Sequence, residues 1–175
     1  MDAANKKALI IVDVQPSFLD DRNGYIVENI LKLLNGSRYD LYVEATFHAE
    51  RGSLWDKQQG WICPEEGDGT ETVGRLSEAL RPLDPIKVRK ETKSVFRGDR
   101  DLSKIFADKG VGEVHVVGLD TNDCVLATAY ESFDLGFITY VIAECCQSSS
   151  SDRLHAYAIE LLDAQDMICW YNHPS

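Results

Sequence analysis

Nowhere does the chain hold the run of about 20 apolar residues that a membrane-crossing helix needs. Positive charge is scarce as well: 18 Lys and Arg stand against 29 Asp and Glu, a net charge of -11. Such a balance repels phosphate backbones and anionic lipid, so neither nucleic acid nor a membrane is an expected partner. Paired cysteines are missing too. The five present (Cys63, Cys124, Cys145, Cys146 and Cys169) contain no CxxC and no histidine at zinc-finger distance, which argues against a disulfide framework and a structural zinc site. Reduced thiols in a reducing compartment fit better. The apolar stretch Ala8 to Val12 is too short for a signal-peptide core and runs into Asp13 without a small-residue cleavage site, so the expected location is cytoplasmic. A G-x-G-x-x-G turn is also absent: Asp13-Val14-Gln15-Pro16 stands after the first strand candidate, which removes dinucleotide binding.

What is there supports one domain over residues 1–175, because a chain of this length with 44% hydrophobic residues closes one substantial core and rarely two. Short β-branched runs alternate with segments of helical period, the pattern of βαβ units around a parallel sheet. Strands are expected at Ala8 to Asp13, Leu41 to Ala45, Ile86 to Arg89, Glu113 to Gly118, Ile138 to Ile142 and Met167 to Trp170. Several are nearly continuous apolar runs, as strands covered on both faces should be. Helices are expected at Ile26 to Leu34, Thr70 to Leu80, Asp101 to Lys109, Cys124 to Leu135 and Ser151 to Asp163. Asp101 and Ser151 supply N-caps, and Gly110 and Gly136 supply stops. The fold class is therefore α/β, a doubly wound (Rossmann-like) six-stranded parallel sheet in the order 3-2-1-4-5-6 with helices on both faces. One long irregular region, Phe47 to Thr70, is left, of the kind that covers or forms sites.

In a doubly wound sheet, ligands bind beyond the carboxyl ends of the strands where the winding reverses. Strands 1 and 4 flank that point, so Asp13 and the turn from Gly118 to Cys124 become neighbours, and Lys90, at the end of strand 3, opens on the same rim. A lone cysteine is more often a core residue than a nucleophile. Cys124, however, follows a polar turn and begins an apolar helix, where the helix dipole and unpaired N–H groups favour a thiolate and an adjacent oxyanion.

These residues resemble those of a known family. Asp13-Val14-Gln15-Pro16-Ser17-Phe18 is similar to the D-x-Q-x-x-F opening of the isochorismatase-like cysteine hydrolases. Lys90-Glu91-Thr92-Lys93-Ser94-Val95-Phe96 resembles their K-x-x-x-S-x-F segment, and Gly118-Leu119-Asp120-Thr121-Asn122-Asp123-Cys124-Val125 their G-[VIL]-x-T-[DN]-x-C-V signature. The resemblance implies Cys124 as a nucleophile that forms a thioester, Asp13 as the base, and Lys90 as electrostatic support. Lys93 is a rival, but the spacing to Ser94 favours Lys90. It further implies an oxyanion hole from the backbone N–H groups of Asp120 and Cys124, with a cis Leu119–Asp120 peptide. Phe18 and Trp55 become pocket candidates, as does Gln15, which could instead orient backbone near the site.

Departures from the family narrow the chemistry. Nicotinamidases of this family bind a divalent metal through an aspartate and histidines after strand 2, whereas here Ala45-Thr46-Phe47-His48-Ala49-Glu50 offers one histidine and one glutamate. That is a poor metal set, so no metal and no cofactor are expected. True isochorismatases lack the cysteine, which directs the reading to small amides or ureides. A nicotinamidase is the second reading, and a catalytically silent binding or scaffold member is the alternative of another class. The family resemblance also implies a homo-oligomer, dimer or tetramer, for which Trp170-Tyr171-Asn172-His173-Pro174 is a candidate surface.

Overall fold

The computed structural model of the chain describes residues 6–63 and 69–171. Six strands form one parallel sheet: β1 (Lys6–Val12), β2 (Leu41–Phe47), β3 (Ile86–Lys90), β4 (Val111–Gly118), β5 (Ile138–Cys146) and β6 (Ile168–Cys169), in the order β3-β2-β1-β4-β5-β6. The expected order and fold class thus hold. Around the sheet pack α1 (Tyr25–Gly36), α2 (Leu54–Gln59), α3 (Gly74–Leu80), α4 (Leu102–Lys109), α5 (Leu126–Asp134) and α6 (Asp152–Asp163). Successive strand side chains point to opposite faces, yet Ala8, Leu9, Ile10, Ile11 and Val12 are all buried. Both faces of central β1 are therefore covered.

The helix ends follow local chemistry. Ser151 Oγ accepts the Leu154 N–H at 3.1 Å to start α6, and Asp101 Oδ1 accepts the Lys104 N–H at 3.0 Å to start α4. Helix α3 begins later than its apolar period suggests. The Val73 N–H is bonded to Val14 O at 2.9 Å, which holds the chain before Gly74 extended against the segment after β1. Helix α2 lies within the region read as irregular; Ser53 caps it and Gly60, at φ 66°, ends it. Among the described residues no helix is long and apolar enough to cross a membrane. Of the candidate interface segment, Trp170 is exposed, while residues 172–174 lie outside the described residues. So do residues 64–68 of the long loop.

One glycine sets the floor of the site. Gly118 ends β4 at φ +120°, and a Cβ there would sit 2.1 Å from Val12 O. Only glycine lets the ends of β1 and β4 approach this closely. Gly118→Ala is expected to destabilise the fold by about 3 kcal/mol or more, combining backbone strain with a clash against main chain. Gly136→Ala is its control, because φ is +91° there but nothing lies within 4 Å. Denaturant midpoints of the two variants, if equal, would refute the clash.

Candidate active site

Three strand ends supply the reactive groups. Asp13 follows β1 directly and is itself in the left-handed region, at φ 52°, a conformation that Asp tolerates better than most residues. Its N–H bonds Ala45 O at 3.0 Å, tying the turn to β2. Lys90 is the last residue of β3, two strands away from β1. Its stem passes the Phe47 ring at the end of β2, with Nζ 4.8 Å from the ring centroid. The ammonium donates to Asp13 Oδ2 at 2.7 Å, Thr92 O at 3.1 Å and Cys124 Sγ at 3.4 Å. Three donors thereby meet three acceptors. The side chains of Lys90 and Asp13 are 0% and 2% exposed, so water does not screen this pair. Lys93, the rival cation, makes none of these bonds: it pairs with Asp123 and stands over Trp55.

Cys124 sits in a wide turn, Thr121–Val125, that precedes α5. The Val125 and Asp123 amides both donate to Asp120 O, at 3.1 and 3.0 Å. The turn is held from below by Gln147 O, which accepts the Thr121 N–H at 3.1 Å, and from the side by His155 of α6, whose Nδ1 lies 2.8 Å from Thr121 Oγ1. The Leu119–Asp120 peptide is cis. The Asp120 carboxylate accepts from Ser149 N at 2.8 Å and Ser149 Oγ at 2.7 Å.

Burial and mutual charge set the protonation states. Burial raises the Asp13 pKa, with the Lys90 charge opposing it. Burial works to strip Lys90 of its proton, but Asp13 and Cys124 outweigh it and the ammonium is held more tightly than usual. Burial, then the negative charge of Asp13, pushes the Cys124 thiol well above its ordinary value despite Lys90. The resting arrangement is a carboxylate–ammonium pair beside a protonated thiol. This differs from the thiolate that a helix-terminal cysteine suggests, because desolvation and a facing carboxylate exceed the pull of the dipole. Asp13 Oδ1 is buried without a hydrogen-bond partner, although the Cys124 thiol stands beside the same carboxyl group. A base with an open acceptor next to a thiol can take its proton as the sulfur attacks.

Asp13 and Cys124 open on a cavity of about 330 Å³. Phe18, Phe47, Trp55 and Trp61 form its aromatic part, with Phe47 and Trp61 stacked at 5.7 Å and Trp55 set at 85° to Phe47. Asp120, Asp123, Ser149 and Ser150 line it as well. Phe18 and Trp55 are thus in the wall, whereas Gln15 is fully buried and not among the lining residues. Its amide is committed to main chain: Oε1 accepts the Phe47 N–H at 2.6 Å, and Nε2 donates to Phe47 O, Gly69 O and Thr70 O at 3.1 to 3.2 Å. It clamps the wall without touching the cavity. Sequence reasoning missed Phe47, Trp61, Ser149 and His155. Only the position of Phe47 at a carboxyl strand end hinted at its role.

The stretch where nicotinamidases hold a metal does not fit one here. His48 Nε2 lies 3.2 Å from Thr46 Oγ1, and Glu50 is paired with Arg89 at 3.0 Å. Burial, then the Arg89 charge, keeps His48 below its ordinary pKa. Among the described residues no group of three His, Cys, Asp or Glu side chains is arranged to hold a metal ion.

A six-stranded parallel sheet in the order β3-β2-β1-β4-β5-β6, with Asp13, Lys90 and Cys124 meeting at its winding reversal, defines a doubly wound, Rossmann-like α/β class. Within it, residues 7–169 match the model of the isochorismatase domain, and the chain belongs to the isochorismatase-like hydrolase family. It is 30% identical over 149 residues to the uncharacterized isochorismatase family protein YrdC of Bacillus subtilis, covering 79% of this chain and 72% of the relative. Its fold is similar to that of an isochorismatase-like hydrolase from Alkaliphilus metalliredigens, with a TM-score of 0.78, 18% identity and 94% of both chains covered. It is also similar to that of the pyrazinamidase of Pyrococcus horikoshii in complex with zinc, with a TM-score of 0.77, 23% identity, and 95% and 99% of the two chains covered.

Proposed function

We propose that the protein hydrolyses the C–N bond of a small amide or ureide through a cysteine thioester. The observation that carries this reading is the single ammonium of Lys90, bonded at once to Asp13 Oδ2 and Cys124 Sγ. Asp13 Oδ1 takes the thiol proton as Sγ attacks the carbonyl carbon, and the oxyanion is received by the backbone N–H groups of Asp120 and Cys124. Asp13 then returns the proton to the departing nitrogen, the C–N bond breaks, and an acyl thioester with free ammonia or amine results. Asp13 next removes a proton from water, which attacks the thioester; the acid product leaves and the thiol is restored. Lys90 stays protonated throughout and balances whichever partner is negative.

A pyridine or pyrazine carboxamide is the second reading. The aromatic walls favour it, as does the fold shared with a pyrazinamidase, while the unsuited residues around His48 weigh against a metal-assisted version. A silent member of the family would have no need to keep three reactive groups in mutual contact.

A panel of small amides and ureides, assayed by ammonia release against Cys124→Ala, tests the proposal. Release by the parent protein alone is expected, and no difference for any substrate would favour the silent alternative. A faster check is labelling. Cys124 lines the cavity beside a base, whereas Cys145 and Cys146 are 1% and 0% exposed. Iodoacetamide is therefore expected to modify Cys124 before the other buried cysteines, Cys63, Cys145 and Cys146, read by peptide mass spectrometry, with the half-buried Cys169 as the accessible reference. Uniform labelling would count against an activated thiol.

A further inference from the structure

We propose that the cavity beside Cys124 takes an amide whose remaining part is cationic or uncharged, an alkylammonium or N-alkylated ring rather than a carboxylate, and that Asp123 and Trp61 read that charge. The inference rests on the cavity being the substrate site and adds the class of substrate it accepts. Asp13, Asp120 and Asp123 line the cavity, and among the described residues no lysine or arginine does. The two nearest ammonium groups belong to Lys90, bonded to Asp13, and Lys93, bonded to Asp123. Three carboxylates against two ammonium groups leave the local balance negative, and the guanidinium of Arg22, which bonds Ser149 O at 2.6 Å behind the lining, is matched by its own partners Asp20 and Asp152. A carboxylate on the ligand would be stripped of water with no cation to meet it.

The rings carry the same preference. Lys90 Nζ and Lys93 Nζ each stand 4.8 Å from a ring centroid, over Phe47 and Trp55. The protein's own ammonium groups thus already use two of the four rings as cation acceptors. Phe18 and Trp61, 6.1 Å apart and tilted at 50°, have no such neighbour among the described residues and offer the remaining pair of faces to a ligand. The net charge of -11 acts in the same direction at longer range, raising the local concentration of cations.

Choline, its carbon isostere neohexyl alcohol and the matching carboxylate, tert-butylacetate, share one shape and differ in charge. Trp55 and Trp61 are two of the three tryptophans, so fluorescence quenching reads binding. Protection of Cys124 from iodoacetamide places the probe in the cavity. Neither readout needs turnover, so absence of amide hydrolysis would sink the proposed function and leave this inference standing. Choline is expected to bind about tenfold tighter than the alcohol, with the carboxylate weakest. Asp123→Asn is expected to weaken choline several-fold and Lys93→Gln to strengthen it, with the alcohol unmoved; opposite shifts at neighbouring positions do not arise from damage to the fold. Carboxylate binding as tight as choline, protection by none of the three, or both variants moving choline the same way would overturn the proposal.

Discussion

Cys124→Ala is expected to fold as the parent does and to lose about four orders of magnitude or more in kcat/KM, leaving only what binding and the oxyanion donors achieve with water. The fold should survive because the change removes one sulfur from the edge of the core, and Lys90 keeps its bonds to Asp13 Oδ2 and Thr92 O. Stability should drop by only about 1 kcal/mol. The kinetic loss should lie in kcat rather than in binding, because the aromatic walls are untouched. Retained turnover in a protein of normal melting behaviour would remove the thioester from the mechanism and leave Asp13 as a base acting on water directly.

Lys90→Met is expected to destabilise the protein by about 3–5 kcal/mol near neutral pH, because it leaves the Asp13 carboxylate buried without its counter-charge. The sign of the pH dependence separates this from a packing defect. Burial already raises the Asp13 pKa, and the Lys90 charge is what opposes it. Without that charge the folded protein binds the carboxyl proton more tightly than the unfolded chain. Stability relative to the parent therefore recovers as pH falls through the raised folded value and is fully regained below the ordinary carboxyl value of about 4; it is lost again as pH rises through that window. Chemical denaturation of both proteins at several pH values measures the difference. A deficit that does not change with pH would mean that the charge is not its source. Asp13→Asn combined with Lys90→Met should recover much of the lost stability, since Asn accepts the φ of 52° and carries no charge.

Much of the scaffold could be read from local pattern plus topology. Strand runs such as Ala8 to Val12 have an unmistakable apolar character, and the handedness and switch-point rules then restrict how they can be ordered. The same rules bring together residues 13, 90 and 124. The chemistry they carry out is a proposal that geometry supports. What could not be read was anything that depends on which side chain faces which. Helix α2 is short and polar, with no apolar period, so only Ser53 and Gly60 marked it. Phe47 and Trp61 look like ordinary core aromatics until the loop folds back across the end of β2. Gln15 carries the side chain of a pocket residue, but its distances to main chain make it a clamp. The state of the thiol was beyond sequence because burial and the charges of Asp13 and Asp123 act together against that of Lys90, and each depends on a position in space.

The antiparallel bridge between Ala49 and Cys63, closed by two hydrogen bonds of 2.9 Å, encloses α2 and both cavity tryptophans in a single excursion from the sheet. Asp13, Lys90 and Cys124 all lie outside it. Substitutions between positions 50 and 62 can therefore reshape what enters without disturbing the groups that react, so recognition and reactivity are free to diverge separately among descendants of one ancestor. A chimera that exchanges this excursion with that of a relative should inherit the donor's preferences on the recipient's machinery.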